Sequence, residues 1–374
     1  MIDYTPMQRE AIDRAEAWFR SGDEQVFRIF GYAGTGKTTI ARALADRLRD
    51  DNRKTHYCAF TGKASMVMRR AGCDNAQTIH SSIYSVEIDD KGRATFRLAE
   101  DGPFADVDLI VVDECSMVGE EIGKDMLSFG KPILVLGDPA KLPPVSGGGF
   151  FTGGEPDVML TEIHRQAEGN PIIRLASAVR KGDIVDLGAY GESAVVSARE
   201  MGKDRLAARV FAADQVLVGT NARRALYNQR MRQHYGRKKE TPEIGDRIVC
   251  RRNDKAVGIF NGETFTVTKM VRSFQPDVIK LEAASADTGR DVDLRIRAEC
   301  FTKGLPALKD LEWEDVKGTQ QAEFAYALTV HLAQGSQWDD VVLFDDSGVF
   351  REDARRWLYT GITRAASRIL IVRN

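Results

Sequence analysis

Two rhythms of hydrophobic and polar positions alternate along the first half of the chain. Short apolar runs of strand length (26–30, 55–60, 108–112 and 133–137) are separated by stretches with helical spacing. Residues 37–49 place Ile40, Leu44 and Leu48 at i, i+4 and i+8, which is one face of a helix. Strands alternating with helices predict a parallel sheet with crossover helices. Residues 83–98 break this rhythm. Val86 and Ile88, a polar Asp89-Asp90-Lys91-Gly92 turn, and then Thr95, Phe96 and Leu98 read as a β-hairpin inserted into an α/β domain. The local pattern alone reads first as a plain surface hairpin.

Glycines gather around residue 150 (Gly147-Gly148-Gly149, then Gly153-Gly154), which marks a boundary. A second α/β pattern follows, with a helix over 172–179, a strand over 215–219 and a basic helix over 222–234. From 244 to about 300 the pattern turns β-rich, with strands over 247–250, 264–270 and 278–282 and an Asn261-Gly262 turn signal. The tail returns to α/β, with strands over 325–329, 341–344 and 369–372 and a helix over 353–363. The expected organisation is a first domain over 1–150 carrying a hairpin insertion at 83–104. A second domain comprises 151–244 and 319–374, with a small β insertion at 245–318.

Composition narrows the class. With 43% apolar and 29% charged residues in 374, the chain reads as soluble and globular. The net charge of −2 does not by itself announce a polyanion partner. Its distribution is uneven: residues 223–255 hold eleven Lys/Arg against four Asp/Glu, whereas residues 100–125 hold nine acids and one Lys. No apolar run approaches the ~20 residues that span a bilayer, and the N-terminus lacks the pattern of a signal peptide. The five cysteines (Cys58, Cys73, Cys115, Cys250, Cys300) have no CxxC spacing and read as small buried hydrophobes. A reducing cytoplasm is the expected compartment.

The chemistry concentrates in a few strings. Gly31-Tyr32-Ala33-Gly34-Thr35-Gly36-Lys37-Thr38 fits G-x-x-x-x-G-K-[ST] between an expected strand and an expected helix. Its backbone N–H groups can wrap phosphates, Lys37 can reach the β and γ phosphates, and Thr38 can ligate Mg²⁺. The apolar run 109–112 ends in Asp113-Glu114, where Asp113 would hold Mg²⁺ through water and Glu114 would polarise the attacking water. Two arginines are candidates for neutralising the γ-phosphate: Arg165 in Leu160-Thr161-Glu162-Ile163-His164-Arg165-Gln166 and Arg364 in Tyr359-Thr360-Gly361-Ile362-Thr363-Arg364-Ala365.

These strings resemble, in order, the motifs of superfamily 1 helicases. The set is 31–39, 113–117, Gly137-Asp138-Pro139-Ala140-Lys141-Leu142-Pro143-Pro144-Val145, 160–166, 329–336 and 359–365. Thr78-x-His80 and the compact length are similar to the RecD-like 5′→3′ subgroup, and most of all to Dda-type phage helicases. The resemblance, spanning residues 5–372, implies two RecA-like domains with ATP in the cleft between them and single-stranded DNA across their tops. It implies that Gln8 reads adenine, that Gly34, Thr35, Gly36, Lys37, Thr38 and Thr39 cradle the nucleotide, and that Asp138 and Gly335, with Ser336, serve the γ-phosphate. It implies strand contacts for Thr61, Lys63, Thr78 and His80 in the first domain and for Thr329 and His331 in the second. The hairpin then resembles a duplex-splitting pin with Phe96 as a stacking tip, and the β insertion an SH3-like subdomain.

Two positions depart from the family. Lys141 stands where Gln is usual, and a cation there can touch phosphate or an acid. Leu332-Ala333 replaces the usual Lys-Ser, and Leu332 cannot contact a phosphate. The implied function is an ATP- and Mg²⁺-dependent helicase acting on single-stranded DNA and junctions, a monomer with single-strand-binding protein as one possible partner. An RNA helicase of the same superfamily and a P-loop switch without strand separation remain alternatives. Two motor domains, a hairpin and a small barrel account for 374 residues, so no separate targeting or nuclease domain is expected.

Overall fold

The computed structural model describes residues 4–88, 94–144, 148–162, 169–254, 256–286 and 288–373. The chain forms two compact units. The first contains Met1–Glu87, Ala94–Val185 and Glu352–Thr363; the second contains Asp186–Arg351 and Arg364–Asn374.

The first unit is built on six parallel strands in the spatial order Gln77–Thr78, Thr55–Ala59, Leu109–Asp113, Ile133–Gly137, Val26–Gly31, Val158–Leu160. Side chains alternate faces along a strand, so a strand covered on both sides reads as a continuous apolar run. Leu109 and Val111 therefore pack into one core with Ile40, Leu44 and Leu48, while Ile110 and Val112 pack into the other with Ile79, Ile83 and Phe104. The sheet does not stop at the glycine-rich stretch. Its edge strand lies beyond it, with Ile29 in register with Val158. The helix Ala354–Ile362, expected in the second domain, packs in this unit.

The second unit repeats the plan. Its sheet runs Ala327–Thr329, Gln215–Val218, Trp338–Phe344, Ala365–Arg373, Ser193–Ser197, parallel throughout, and ends on an antiparallel edge strand, Gly188–Tyr190. Beside it stands an antiparallel sheet of five strands: Asp291–Arg297, Val278–Ser285, Thr264–Val271, Arg247–Cys250 and Ala322–Phe324. Its last strand falls beyond the expected insertion boundary at 318. Tyr84–Ile88 and Ala94–Leu98 pair as a two-stranded sheet. Phe96 thus lies within a strand rather than in the turn; the turn 89–93 and the Phe96 side chain fall outside the described residues. All five cysteines are free and buried, and no described helix is long and apolar enough to cross a membrane.

Candidate functional site

The phosphate loop links strand Val26–Gly31 to helix Lys37–Asp50. Gly34 (φ 82°) and Gly36 (φ 80°) take the left-handed conformation that favours glycine. A Cβ on Gly31 would meet Thr35 Oγ1 at 2.6 Å and Leu160 Cβ at 2.8 Å, so close approach also demands glycine there. Thr35 is buried and turns its hydroxyl back onto the Tyr32 carbonyl at 2.9 Å.

Lys37 donates from Nζ to the Gly31 carbonyl at 2.7 Å and the Tyr32 carbonyl at 3.1 Å. Desolvation pulls its ammonium below the ordinary lysine value, opposed by the charges of Asp138, Glu114 and Asp113. Thr38 donates from Oγ1 to Asp113 Oδ2 at 2.9 Å. The Asp113 carboxyl is held above the usual range by desolvation and by the neighbouring Glu114, while Thr38 and Lys37 pull it down. Its other oxygen accepts the Glu114 N–H at 2.7 Å. Glu114 itself takes φ 55°, uncommon for a non-glycine residue and of the kind that clusters at functional sites.

The string after strand Ile133–Gly137 closes round the loop. Asp138 is buried, accepts the Tyr359 hydroxyl at 2.6 Å on one oxygen and accepts the Ala140 N–H at 3.0 Å on the other. The same Tyr359 oxygen accepts the phosphate-loop Ala33 N–H at 3.1 Å. One step along, Thr360 Oγ1 accepts the Leu142 N–H at 3.0 Å. Tyr359 was no candidate in the sequence; its position five residues before Arg364, inside the same string, is the signal that could have found it. Lys141 points Nζ at both oxygens of Glu114, at 2.5 and 2.8 Å.

Gln8 is occupied within the protein. It forms a capping box with Thr5 at the start of helix Pro6–Ser21, and its Nε2 donates to the Thr35 carbonyl at 3.0 Å. A Cβ on Gly36 would lie 2.6 Å from that nitrogen. Gln8 thus braces the phosphate loop directly. Thr39 lies in the first turn of helix Lys37–Asp50.

The first-unit strand candidates gather at the carboxyl ends of two neighbouring parallel strands. Ligands bind at that edge in open α/β sheets. Thr61 caps helix Gly62–Arg70 and accepts the Ala64 N–H at 3.2 Å. Thr78 caps helix Ile79–Ile83 and accepts the Ser81 N–H at 3.3 Å. Lys63 is buried in the first turn after Thr61. The His80 ring lies between Phe60 and Tyr84, with centroids 5.8 and 5.9 Å away.

In the second unit Thr329 ends its strand and accepts the Leu332 N–H at 3.2 Å. His331 packs on Phe350 at 5.5 Å, and Gly335 takes φ 77°. Arg364 is buried and donates to the Ser336 carbonyl at 3.1 Å, so the structure joins two of the residues expected near the γ-phosphate. Arg165 lies outside the described residues.

Four arginines of the basic run 223–255 form ion pairs within the unit. Arg223 meets Asp346, Arg224 and Arg251 share Glu323, and Arg232 meets Asp246 and Glu243.

Comparison with known proteins agrees with this arrangement. The AAA domain family matches residues 3–200, just over half of the chain, and the UvrD-like helicase C-terminal domain matches residues 324–372. The ATP-dependent RecD2 DNA helicase of Deinococcus radiodurans is 29% identical over 375 residues, covering 91% of this chain and 46% of that protein. The RecBCD enzyme subunit RecD of Mycolicibacterium smegmatis is 26% identical over 412 residues, covering 92% and 67%. The chain thus spans about half the length of the first of these curated relatives. Bacteroides Pif1 bound to ssDNA superposes with a TM-score of 0.59 at 17% identity, over 99% of this chain and 92% of that one. The Pif1 helicase of Candida albicans gives 0.55 at 16%, over 99% and 95%. At these identities the structural likeness is one of fold, and the fold is α/β with two RecA-like parallel sheets. By its family match over more than half its length, the chain belongs to the AAA domain family, and it is similar to RecD-type helicases in sequence and to Pif1 helicases in fold.

Proposed function

We propose that the chain is an ATP-driven motor that moves 5′→3′ along single-stranded DNA and separates duplex ahead of it. One observation carries this reading. The Thr38 hydroxyl lies 2.9 Å from the Asp113 carboxylate at the end of a glycine-wrapped phosphate loop, and Glu114 is the next residue. Hydroxyl and carboxylate are hard oxygen donors of the kind Mg²⁺ accepts when phosphates and waters complete its octahedron. Among the described residues no group of three or more His, Cys, Asp or Glu could hold a metal alone, so the proposed donor set includes phosphate oxygens. When bound with ATP, Mg²⁺ neutralises charge on the β and γ phosphates.

In the proposed step Glu114 accepts a proton from water as the water oxygen bonds to the γ-phosphorus and the bond to the ADP oxygen breaks. Lys37 leaves the Gly31 and Tyr32 carbonyls to hold the β and γ phosphates. Arg165 and Arg364 supply further positive charge, and Asp138 with Gly335 couples the γ-phosphate to the strand contacts. Thr61, Lys63, Thr78, His80, Thr329 and His331 grip the strand through its backbone, which carries no sequence information. The names of the RecD2 and Pif1 relatives support DNA as the track.

Duplexes with a single-stranded 5′ or 3′ tail, in DNA and in RNA, test the reading. ATP should release the strand from the 5′-tailed DNA substrate. Preference for the 3′ tail overturns the polarity, preference for RNA overturns the track, and hydrolysis without displacement from any substrate leaves the switch alternative standing instead.

A further inference from the structure

Lys141 departs from the family's usual Gln, and its geometry gives the departure a role. Its Nζ lies 2.5 and 2.8 Å from the two oxygens of Glu114, the proton acceptor of the proposed reaction. The pair is sheltered: the Lys141 side chain is 9% exposed and that of Glu114 23%. An ammonium bonded to both oxygens of a carboxylate takes one lone pair on each and competes with water for them. While the ammonium stays in place it holds Glu114 away from the attacking water.

The backbone on either side of Lys141 is fixed. Its own N–H donates to the Asp138 carbonyl at 3.1 Å, and the next N–H donates to Thr360 Oγ1 at 3.0 Å. Asp138 is in turn bonded to Tyr359, whose oxygen holds the Ala33 N–H of the phosphate loop. Four residues after Thr360, Arg364 donates to the Ser336 carbonyl, in the string that carries Thr329 and His331. The anchors of Lys141 therefore lead along the chain to the phosphate loop on one side and to the candidate strand contacts on the other.

We propose that Lys141 is a positioning residue that brakes hydrolysis by holding Glu114, and that strand binding releases the brake. The proposal rests on the motor reading above, since it takes Glu114 as the water-activating group. A glutamine at 141 could donate to Glu114 only from an uncharged amide; lysine sets a full positive charge against both oxygens.

Steady-state ATP hydrolysis by the intact chain, with and without a single-stranded thymidine oligonucleotide, tests it. Lys141→Gln and Lys141→Met should each raise kcat without oligonucleotide by about 5-fold or more and leave the KM for ATP within about 2-fold. The kcat at saturating oligonucleotide should stay near wild type, so the stimulation ratio collapses. Lys141→Arg, which keeps the charge, should keep the low unstimulated rate. An unstimulated kcat that is unchanged or lower in the neutral variants overturns the brake. So does Lys141→Arg behaving like Lys141→Gln, or failure of both neutral variants to show a wild-type melting transition. A wild-type chain that oligonucleotide does not stimulate overturns the motor reading instead, while the unstimulated rates still decide whether Lys141 restrains Glu114.

Discussion

In the first unit two neighbouring parallel strands, Thr55–Ala59 and Gln77–Thr78, are followed by helices capped by Thr61 and Thr78. In the second, Gln215–Val218 is followed by a helix capped by Thr220, whereas Ala327–Thr329 runs into a turn that Thr329 closes. Thr220 lies two residues past its strand and accepts the Arg223 N–H at 3.2 Å, and Thr329 ends the other and accepts the Leu332 N–H. The register agrees as well, with Ala59 opposite Thr78 and Val218 opposite Thr329. Both units also follow a buried strand with two acids. Asp113-Glu114 meets the Thr38 hydroxyl and the Lys141 ammonium. Asp345-Asp346 meets its own scaffold: Asp346 accepts the Gly219 N–H at 2.7 Å and pairs with Arg223, while Asp345 accepts Ser347 at 2.6 Å and Arg373 at 3.2 Å. What faces each acidic pair sets its proposed part: chemistry for Asp113-Glu114, scaffold for Asp345-Asp346. Among the described residues only the first unit places a phosphate loop there.

The largest expected effect breaks this difference outright. Lys37→Ala removes the cation that the first unit alone brings to its phosphate loop, and kcat for ATP hydrolysis should fall by about 10²- to 10³-fold. The melting temperature should stay close to wild type, since Lys37 donates only to carbonyls of its own loop. A variant that still turns over at more than a tenth of the wild-type rate would show that the loop is not the seat of hydrolysis.

The features that made this comparison possible differ in how legible they were. The phosphate loop and the runs ending at Asp113 and Phe344 are continuous apolar segments with punctuation, and their strands fall within a few residues of expectation. Helix Pro6–Ser21 has no counterpart in the sequence reading, because its buried face (Gln8, Ala11, Ile12, Ala15, Trp18) holds two alanines and a polar residue, a weak apolar stripe. Val158–Leu160 is too short to show a period, yet it moves the edge of the first sheet past the expected boundary at 150. The basic run was legible only as a total, since composition does not reveal that Arg223, Arg224, Arg232 and Arg251 find acids within the unit. Lys141 could be singled out as a departure, but not its partner: Glu114 lies 27 residues away and only the fold brings them together.

A smaller effect separates the two sheets by pH. On strand Thr55–Ala59 the first carries a buried histidine, His56, with Nε2 2.9 Å from Ser82 Oγ and the ring edge-on to Phe104. The counterpart strand of the second carries Gln215, buried and not titratable. Burial pushes His56 down from 6.5 to about 4. Between those values the unfolded chain binds the extra proton. The contribution is therefore fully present above pH 6.5 and is lost as pH falls toward 4, by about 3 kcal/mol for this one group. Urea unfolding of wild type and His56→Gln at pH 7, 5.5 and 4.5 checks the sign. The variant should lose less stability than wild type on acidification, and equal losses would mean that His56 is already protonated in the folded chain.

The smallest effect sharpens the equivalence of the two threonine pairs. Thr220 was not among the strand candidates in the sequence, because nothing around it matches a motif; only the shared register sets it beside Thr329 as Thr61 is set beside Thr78. Thr220→Ala removes an N-cap oxygen and should cost about 1 kcal/mol in chemical unfolding, with Thr220→Ser restoring most of it. Thr61→Ala should cost a similar amount for the same reason. If the two edges are also functionally equivalent, each alanine variant should weaken binding of a single-stranded thymidine oligonucleotide by about 3- to 10-fold, the worth of one net hydrogen bond. Loss of stability in both with loss of binding only in Thr61→Ala would break the equivalence. The strand would then be gripped asymmetrically, with Thr220 serving only to start helix Asn221–His234.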